Sequence, residues 1–399
     1  MNDSRQTCNG NLNLYFDNAA TSWPKPETVY RAGEIQMRQA CGNPGRSGHT
    51  RTLEGDRMIY RAREALARLF NVPDPARIVF TCNATDALNI ALKGYLKEGD
   101  HVICTAMEHN SVLRPLGRLR RDGVIETTVI PCSEEGFPDL AYLETAYQSN
   151  TRLLVINHAS NVTGTIMPLE NMIHSAHSRG SAVLVDAAQT AGTVVIDLGT
   201  IGADMMAFTG HKGLLGPTGT GGLYVRPGVN LEPLREGGTG SQSETDFHPE
   251  SMPERLEAGT LNITGLAGLL EGVNFIQQTG LKAIRAHEKD IRSFIYSRLQ
   301  TIPEITLYGP ENADQCCCII SFTVKNVDSG EVGYILESSY GILCRTGLHC
   351  APLGHKAIGT FPEGTVRISP GYFTNQDDAE FLVGAIKEIV TLASGSKKM

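Results

Sequence analysis

The sequence predicts an α/β protein: a large domain built on a mostly parallel sheet, then a smaller α+β domain at the carboxyl end. Three observations lead there. Short β-branched runs alternate with helical patterns from about residue 55 to residue 225, and apolar strands alternating with helices form a parallel sheet covered on both faces. After Leu266 the pattern changes to longer helices and fewer strands. The chain has 399 residues, well beyond one domain of ~150. The expected division is 15–265 for the large domain and 266–399, joined by residues 1–14, for the small one.

Ile78-Val79-Phe80 reads as a buried strand, followed by the turn Thr81–Thr85 and a helix with Leu88, Ala91, Leu92 and Leu96 at helical spacing. Strands are expected at His101–Cys104, Glu126–Ile130, Arg152–Asn157, Ala182–Asp186, Met205–Phe208 and Gly222–Val225, with helices at Leu140–Gln148 and Leu169–Arg179. Beyond them come helices at Leu266–Gln278 and Lys282–Gln300, strands at Cys318–Val324 and Thr365–Ile368, and a last helix from about Asp377 to Leu392. The tail Ser394–Met399 is expected to fray. In a sheet of this kind, ligands bind beyond the carboxyl ends of the strands.

Composition narrows the function classes. Lys plus Arg is 35 against 43 Asp plus Glu, a net charge of -8, which argues against a nucleic-acid partner. With 41% apolar and 20% charged residues, the chain is an ordinary globule rather than a disordered one. Residues 1–16 are polar and lack the apolar core of a signal peptide, and no stretch approaches the ~20 apolar residues of a membrane helix. A cytoplasmic protein with reduced thiols is expected, so its ten cysteines are reactive, metal-binding or inert rather than bridged. The 42 glycines call for tight turns or close backbone approaches.

Four positions point to chemistry. Lys212, in Thr209-Gly210-His211-Lys212-Gly213 just past an apolar strand, can reach a cleft and form a Schiff base. Desolvation and a cationic neighbour such as His211 would lower its amine pKa; the alternative is a solvated surface lysine. Asp186 ends the strand Ala182–Asp186 and can pair with a pyridinium nitrogen, so that pyridoxal phosphate acts as an electron sink; the alternative is a helix cap. Asn83-Ala84-Thr85 lies between strand and helix, where free amides and the Thr85 hydroxyl suit a phosphate. His109, again just past a strand, can stack on an aromatic ring and relay protons; the alternative is a structural histidine.

Together these residues resemble the class V aminotransferase branch of the fold-type I pyridoxal-phosphate enzymes, and within it the group II cysteine desulfurases and selenocysteine lyases. The resemblance runs from Tyr15-Phe16-Asp17-Asn18-Ala19-Ala20 to Val366-Arg367-Ile368-Ser369. It is carried most specifically by Ser160–Thr165, Asp186–Gln189 and Thr209–Lys212. It implies that Lys212 carries pyridoxal 5'-phosphate, Asp186 holds the ring nitrogen, Gln189 the phenolic oxygen, and His109 the ring face. Ala84, Thr85, Thr209 and His211 would hold the phosphate. Glu257-Ala258-Gly259-Thr260 would bring Thr260 to the phosphate of a neighbouring subunit, which implies a homodimer. Arg367 would pair with the substrate α-carboxylate through a planar fork, and Asn161 and His49 correspond to active-site positions.

Arg345-Thr346-Gly347-Leu348-His349-Cys350-Ala351 resembles the short loop that carries the sulfur-accepting cysteine in the second desulfurase group. The implied reaction removes sulfur from L-cysteine, leaving L-alanine and a persulfide on Cys350, whose thiolate character Arg345 and His349 would promote. A sulfur-acceptor protein is a further implied partner. The alternatives within the family are a selenocysteine lyase, or a C–S β-lyase or aminotransferase that does not use Cys350. Cys316-Cys317-Cys318 reads as small core residues opening a strand. Cys344, His349, Cys350 and His355 lack the paired spacing of a zinc site, so no metal is expected. Two segments depart from the family pattern near the substrate mouth: Glu236–Ser243, rich in small hydroxylated residues, and Ile368–Asn375, with Pro370-Gly371 before Tyr372.

Overall fold

A computed structural model describes residues 13–39, 42–45, 48–242 and 244–395. In chain order, Leu14–Tyr15 (β1) precedes the helices Glu27–Gln39 (α1) and Thr50–Leu69 (α2). Strands and helices then alternate: Ile78–Thr81 (β2), Ala84–Tyr95 (α3), Asp100–Thr105 (β3), Asn110–Arg121 (α4), Ile125–Ile130 (β4), Leu140–Ala146 (α5), Thr151–Asn157 (β5), Leu169–Ser178 (α6), Ala182–Asp186 (β6), Leu198–Ile201 (α7), Met205–Thr209 (β7) and Gly221–Val225 (β8). The remainder is Ile263–Thr279 (α8), Leu281–Gln300 (α9), Ile305–Tyr308 (β9), Ile320–Val324 (β10), Ser329–Tyr340 (α10), Ile342–Leu343 (β11), Arg345–Gly347 (β12), Pro352–Ala357 (α11), Thr365–Ile368 (β13) and Gln376–Gly395 (α12).

Seven strands form one sheet in the order β2-β8-β7-β6-β5-β3-β4. β8 pairs antiparallel with both β7 and β2, and the other pairings are parallel. Alternate residues of each strand enter opposite cores, as the two-residue strand period requires. Ile103, Leu154, Ile156, Val183, Val185, Met206 and Phe208 pack on one face. Val102, Leu153, Val155, Leu184, Met205 and Ala207 pack on the other. Helices close both faces, so the central strands are mostly buried, while the edge strand β4 keeps Glu126 exposed, and ligands are expected at the strand ends.

A second sheet, β12-β13-β10-β9, is antiparallel and shares a core with α9, α10 and α12 through Ile295, Leu299, Phe322, Leu336, Leu382 and Ile386. β1 pairs parallel with β11, and Phe16 belongs to this second core, so the amino-terminal segment is tied to the carboxyl-terminal layer. α8, by contrast, sends Leu266, Leu269, Val273 and Ile276 into the core of the large sheet. The covering layer of that sheet therefore continues past residue 265.

Two expectations need correction. Cys316–Cys318 does not open a strand: β10 begins at Ile320, and the Cys317 amide instead donates to Gly164 O at 2.8 Å. All three thiols are buried, and burial pushes those of Cys317 and Cys318 far above the usual range. As for the tail, α12 runs through Gly395, and the last four residues lie outside the described ones, as do residues 1–12 and Ser243.

Glu288, on α9, is buried with Oε2 unpartnered, and burial pushes its carboxyl from 4.5 up to about 8. The folded chain therefore keeps a proton that the unfolded chain releases, and stability falls as pH rises from about 4.5 to about 8. Glu288→Gln removes this penalty. Its melting temperature is expected to exceed the wild type's at pH 8, by an amount corresponding to roughly a few kcal/mol, with the difference vanishing toward pH 4.5. Calorimetry at both pH values reads this, and a difference independent of pH would contradict it.

Candidate active site

The carboxyl ends of the parallel strands converge on a cavity of about 300 Å3 whose wall includes Lys212, Asp186, His109, Asn161, Arg345 and Arg367. Lys212, Asp186, His109 and Asn161 come from a strand end of the large sheet or the segment beyond it, and Arg345 and Arg367 from the small sheet. β6 ends at Asp186 and β7 at Thr209, three residues before Lys212. His109 is the N-cap of α4, after β3. β13 and its antiparallel neighbour β12 bring Arg367 and Arg345 into register beside each other.

Lys212 is held on a tightly packed turn. A Cβ at Gly213 would lie 2.6 Å from Ala191 O, and one at Gly210 would collide with the Thr220 side chain. These two glycines therefore serve close packing of the protein against itself rather than approach to a ligand. Burial lowers the Lys212 amine from 10.5 to about 8; Asp186 opposes the shift, and Arg367 and Arg345 assist it. The expected cationic role of His211 does not hold. Burial, Lys212 and Lys25 lower its imidazole to about 4, which leaves it neutral at pH 7.

Asp186 is buried, and burial raises its carboxyl against the opposing effects of the Ala188 amide and Lys212. Its Oδ1 accepts from Ala188 N at 2.9 Å, so it caps the turn after β6 and also faces the cavity. Gln189 Nε2 donates to Ala19 O at 3.1 Å, joining the β6 turn to the amino-terminal segment. His109, lowered to about 4 by burial first and Lys212 second, is neutral; its Nδ1 accepts from Ser111 N at 3.1 Å.

At the far end, α3 begins beside the cavity. Asn83 caps it through Oδ1, which accepts from Asp86 N at 3.0 Å. The amides of Ala84 and Thr85, in the first turn, have no intrahelical acceptors and lie on the cavity wall. Thr85 Oγ1 and Ser111 Oγ are 2.7 Å apart, and Ser111 Oγ lies 2.8 Å from His109 Nδ1. Ser111 thus joins the helix start to the histidine. Sequence reasoning passed over it, although the spacing His109-x-Ser111 at a helix start was a usable signal. Asn157 was missed too: it ends β5, lines the cavity, and donates through Nδ2 to Met107 O at 2.6 Å.

Arg367 is fully buried and donates through Nη1 to Asn161 O at 3.0 Å and through Nη2 to Asp17 Oδ1 at 2.7 Å. Asn161 Nδ2 donates to His349 O at 2.6 Å. His349 and Cys350 have φ of 47° and 61°, left-handed values that cost about 1–3 kcal/mol each outside glycine. The neighbourhood holds them there: His349 Nε2 lies 3.1 Å from Thr365 Oγ1, and Cys350 O accepts from Asn110 N at 2.8 Å. Cys350 is exposed, and Arg345 Nη2 donates to its Sγ at 3.5 Å. Arg345 therefore supplies the positive charge expected beside this thiol. His349 does not, because burial and Arg367 hold its imidazole at about 2; it anchors the loop as a neutral group.

His49 and Thr260 are not brought to this cavity. His49 is the exposed N-cap of α2, and Thr260 donates to Asn43 Oδ1 at 3.3 Å on the surface. Glu257 is occupied by Arg63, which donates to it at 2.7 and 2.9 Å. Of the two unusual segments, Pro370, Gly371 and Tyr372 line a smaller neighbouring cavity that shares Lys212 and Gln189 with this one. Glu236–Gln242 is largely surface loop.

The aminotransferase class-V family model matches residues 14–382. The chain belongs to the class V aminotransferase family. Among its class V relatives is a probable cysteine desulfurase of Methanothermobacter thermautotrophicus, 36% identical over 383 residues and 94% of each chain. A cysteine desulfurase of Escherichia coli is 34% identical over 392 residues, 96% of this chain and 94% of its own. The solved apo structure of a cysteine desulfurase from Thermococcus onnurineus superposes with a TM-score of 0.89 at 32% identity, covering 95% of each chain. An S-sulfonic acid form of an E. coli cysteine desulfurase gives 0.85 at 29% identity, again over 95% of each chain. Both the family and the α/β architecture expected from the sequence are therefore present, and class V enzymes of this kind depend on pyridoxal phosphate. No helix among the described residues is long and apolar enough to cross a membrane.

Proposed function

We propose that this class V protein is a pyridoxal-phosphate-dependent cysteine desulfurase that takes the sulfur of L-cysteine onto Cys350 and releases L-alanine. One observation carries the reading: Lys212 and Asp186 share a cavity whose wall includes Arg345, and Arg345 is bonded to the exposed sulfur of Cys350. The donor set fits the cofactor. It combines an amine lowered to about 8, a buried carboxylate facing it, a helix start for a phosphate, and a His211 Nδ1 without a partner.

When bound, pyridoxal phosphate supplies an electron sink for the bonds broken at the substrate's α-carbon. Lys212 would hold it covalently, Asp186 at the ring nitrogen, Gln189 at the phenolic oxygen, and neutral His109 against the ring face. Ala84, Thr85, Thr209 and His211 would hold the phosphate. Arg367 grips the substrate carboxylate, assisted by Asn161. Lys212, with an amine near neutrality, moves the α-proton. The Cys350 sulfur, which accepts from Arg345, forms a bond to the substrate sulfur as the Cβ–S bond breaks. Proton uptake at carbon then gives alanine, and the exposed persulfide is open to a thiol of an acceptor protein.

The chain acts as a homodimer in this reading. α1 and α2 expose Tyr30, Ile35, Met37, Leu53 and Tyr60, an apolar surface that suits a second copy. Asn43, bonded to Thr260, is preceded by Gly42, which packs on the start of α2; His49 and Thr260 thus lie on one surface, where Thr260 can complete a neighbouring cavity. Light scattering is expected to give twice the chain mass, and a monomer at micromolar concentration would contradict this. We also propose a division into a large domain, 15–265, and a small one, 266–399 with residues 1–14; α8 spans that boundary in sequence but packs on the large sheet. A cytoplasmic setting accords with eight free cysteines among the described residues. Purified protein supplied with cofactor and L-cysteine is expected to yield alanine and, with a thiol reductant, an equal amount of sulfide. Pyruvate and ammonia, or a keto acid, would overturn the reading.

A further inference from the structure

Arg367 is the most deeply buried cation of the cavity wall, and one anion holds it. Its side chain is 1% exposed, while that of its partner Asp17 is 21% exposed. A buried guanidinium needs a counter-charge, and Asp17 supplies it through a single bond of 2.7 Å to Nη2. That bond is the one hydrogen bond of the Asp17 carboxylate among the described residues, whereas its backbone is pinned. Asp17 O accepts from Ala20 N at 3.0 Å, and Asp17 bridges to Ser369, two residues past Arg367. The main chain is thus fixed while the carboxylate hangs on one bond, with an exposed side to turn toward.

The guanidinium has capacity to spare. Of its five N–H groups, one goes to Asn161 O and one to Asp17 Oδ1, and Nε has no partner. A second cation, Arg345, stands in register on the adjacent strand, so the pair of arginines carries a surplus positive charge toward the cavity even with Asp17 in place. A substrate carboxylate arriving at this fork would bring a second negative charge against Asp17, and like charges in contact at low dielectric disfavour each other.

We propose that Asp17 is a resident, displaceable counter-ion of Arg367. With no substrate present it neutralises and aims the guanidinium, and it yields Nη2 to the incoming α-carboxylate, so it sets the affinity for amino acids. It is a positioning residue and takes no part in the chemistry. The proposal rests on the reading of Arg367 as the carboxylate site.

The test uses holoenzyme titrated with L-alanine and with L-alaninamide, which lacks the carboxylate charge, followed by the visible absorbance of the cofactor. Asp17→Asn keeps the shape and an acceptor oxygen but removes the competing charge. It is expected to bind L-alanine about tenfold more tightly than wild type and L-alaninamide unchanged, and to lower KM for cysteine more than it alters kcat. Asp17→Glu is expected to restore wild-type affinity. If Asp17→Asn does not load cofactor, Asp17→Ser carries the same comparison. Equal or weaker alanine binding in the neutral variant, with alaninamide unaffected, would overturn the proposal and make Asp17 a fixed support. If neither wild type nor variant distinguishes alanine from alaninamide, the assignment of Arg367 to the carboxylate has failed instead.

Discussion

Cys350→Ala is expected to keep the yellow cofactor absorbance and lose the release of alanine from cysteine by at least about 10³-fold, the scale of losing a covalent nucleophile. Cys350 is exposed, its sulfur accepts from Arg345 at 3.5 Å, and its loop is held in two consecutive left-handed residues by the neutral His349 and by Asn110. The thiol is therefore presented beside a cavity-wall cation on a loop with little freedom. Alanine cannot accept sulfur, but it removes nothing from the cavity floor, so cofactor loading stays intact. Cys350→Ser is expected to behave alike, because an alcohol does not form the sulfur–sulfur bond. Wild-type turnover in either variant, measured as alanine formed, would remove Cys350 from the reaction.

Lys212→Ala is expected to show the opposite pattern. The cofactor should no longer be covalently held, and turnover should fall by about 10²–10⁴-fold from loss of the proton carrier alone. The lowered amine adds a pH signature. With Lys212 near 8 rather than 10.5, about a tenth of the amine is neutral at pH 7. Cofactor capture by apoenzyme should therefore rise about tenfold per pH unit below about 8 and level off above it. A rise continuing to pH 10 would show a solvated lysine, and Lys212→Ala should show no such capture at all. Stopped-flow absorbance reads both.

The legible parts of the fold were those where one physical signal dominates. β6 matches the sequence reading residue for residue, because a buried strand of this kind is an unbroken apolar run ending at a polar residue; β13 matches as well, although Arg367 interrupts its apolar run. α4 was not singled out because Pro115 sits in its interior, which reads as a helix breaker, although Val112, Leu116 and Leu119 keep one apolar face. α1 was missed because Tyr30, Ile35 and Met37 face outward; α2 does bury a stripe through Gly55, Ile59, Ala62 and Leu66, a usable signal that was passed over. β12 has no apolar residue, and only its pairing with β13 defines it.

The site followed the same rule. Lys212, Asp186 and His109 could be named because each ends or follows a strand, where the fold directs ligands, whereas Arg367, inside β13, could be named only from the family resemblance. Their charge states could not be read in advance. His211 and His349 looked like cations beside Lys212 and Cys350, but burial makes both neutral, and the charge comes from Arg345 and Arg367 across the strand pair. The Asp17 contact joins residues far apart in sequence, and only the pairing of the amino-terminal segment with the small sheet brings it about.

The most direct test of the central claim is a single turnover with limiting L-cysteine and no reductant, read by peptide mass and amino-acid analysis of the same sample. The predicted result is one equivalent of L-alanine together with the mass of one added sulfur atom on the peptide carrying Cys350. Alanine without that added sulfur, or pyruvate in place of alanine, would contradict it.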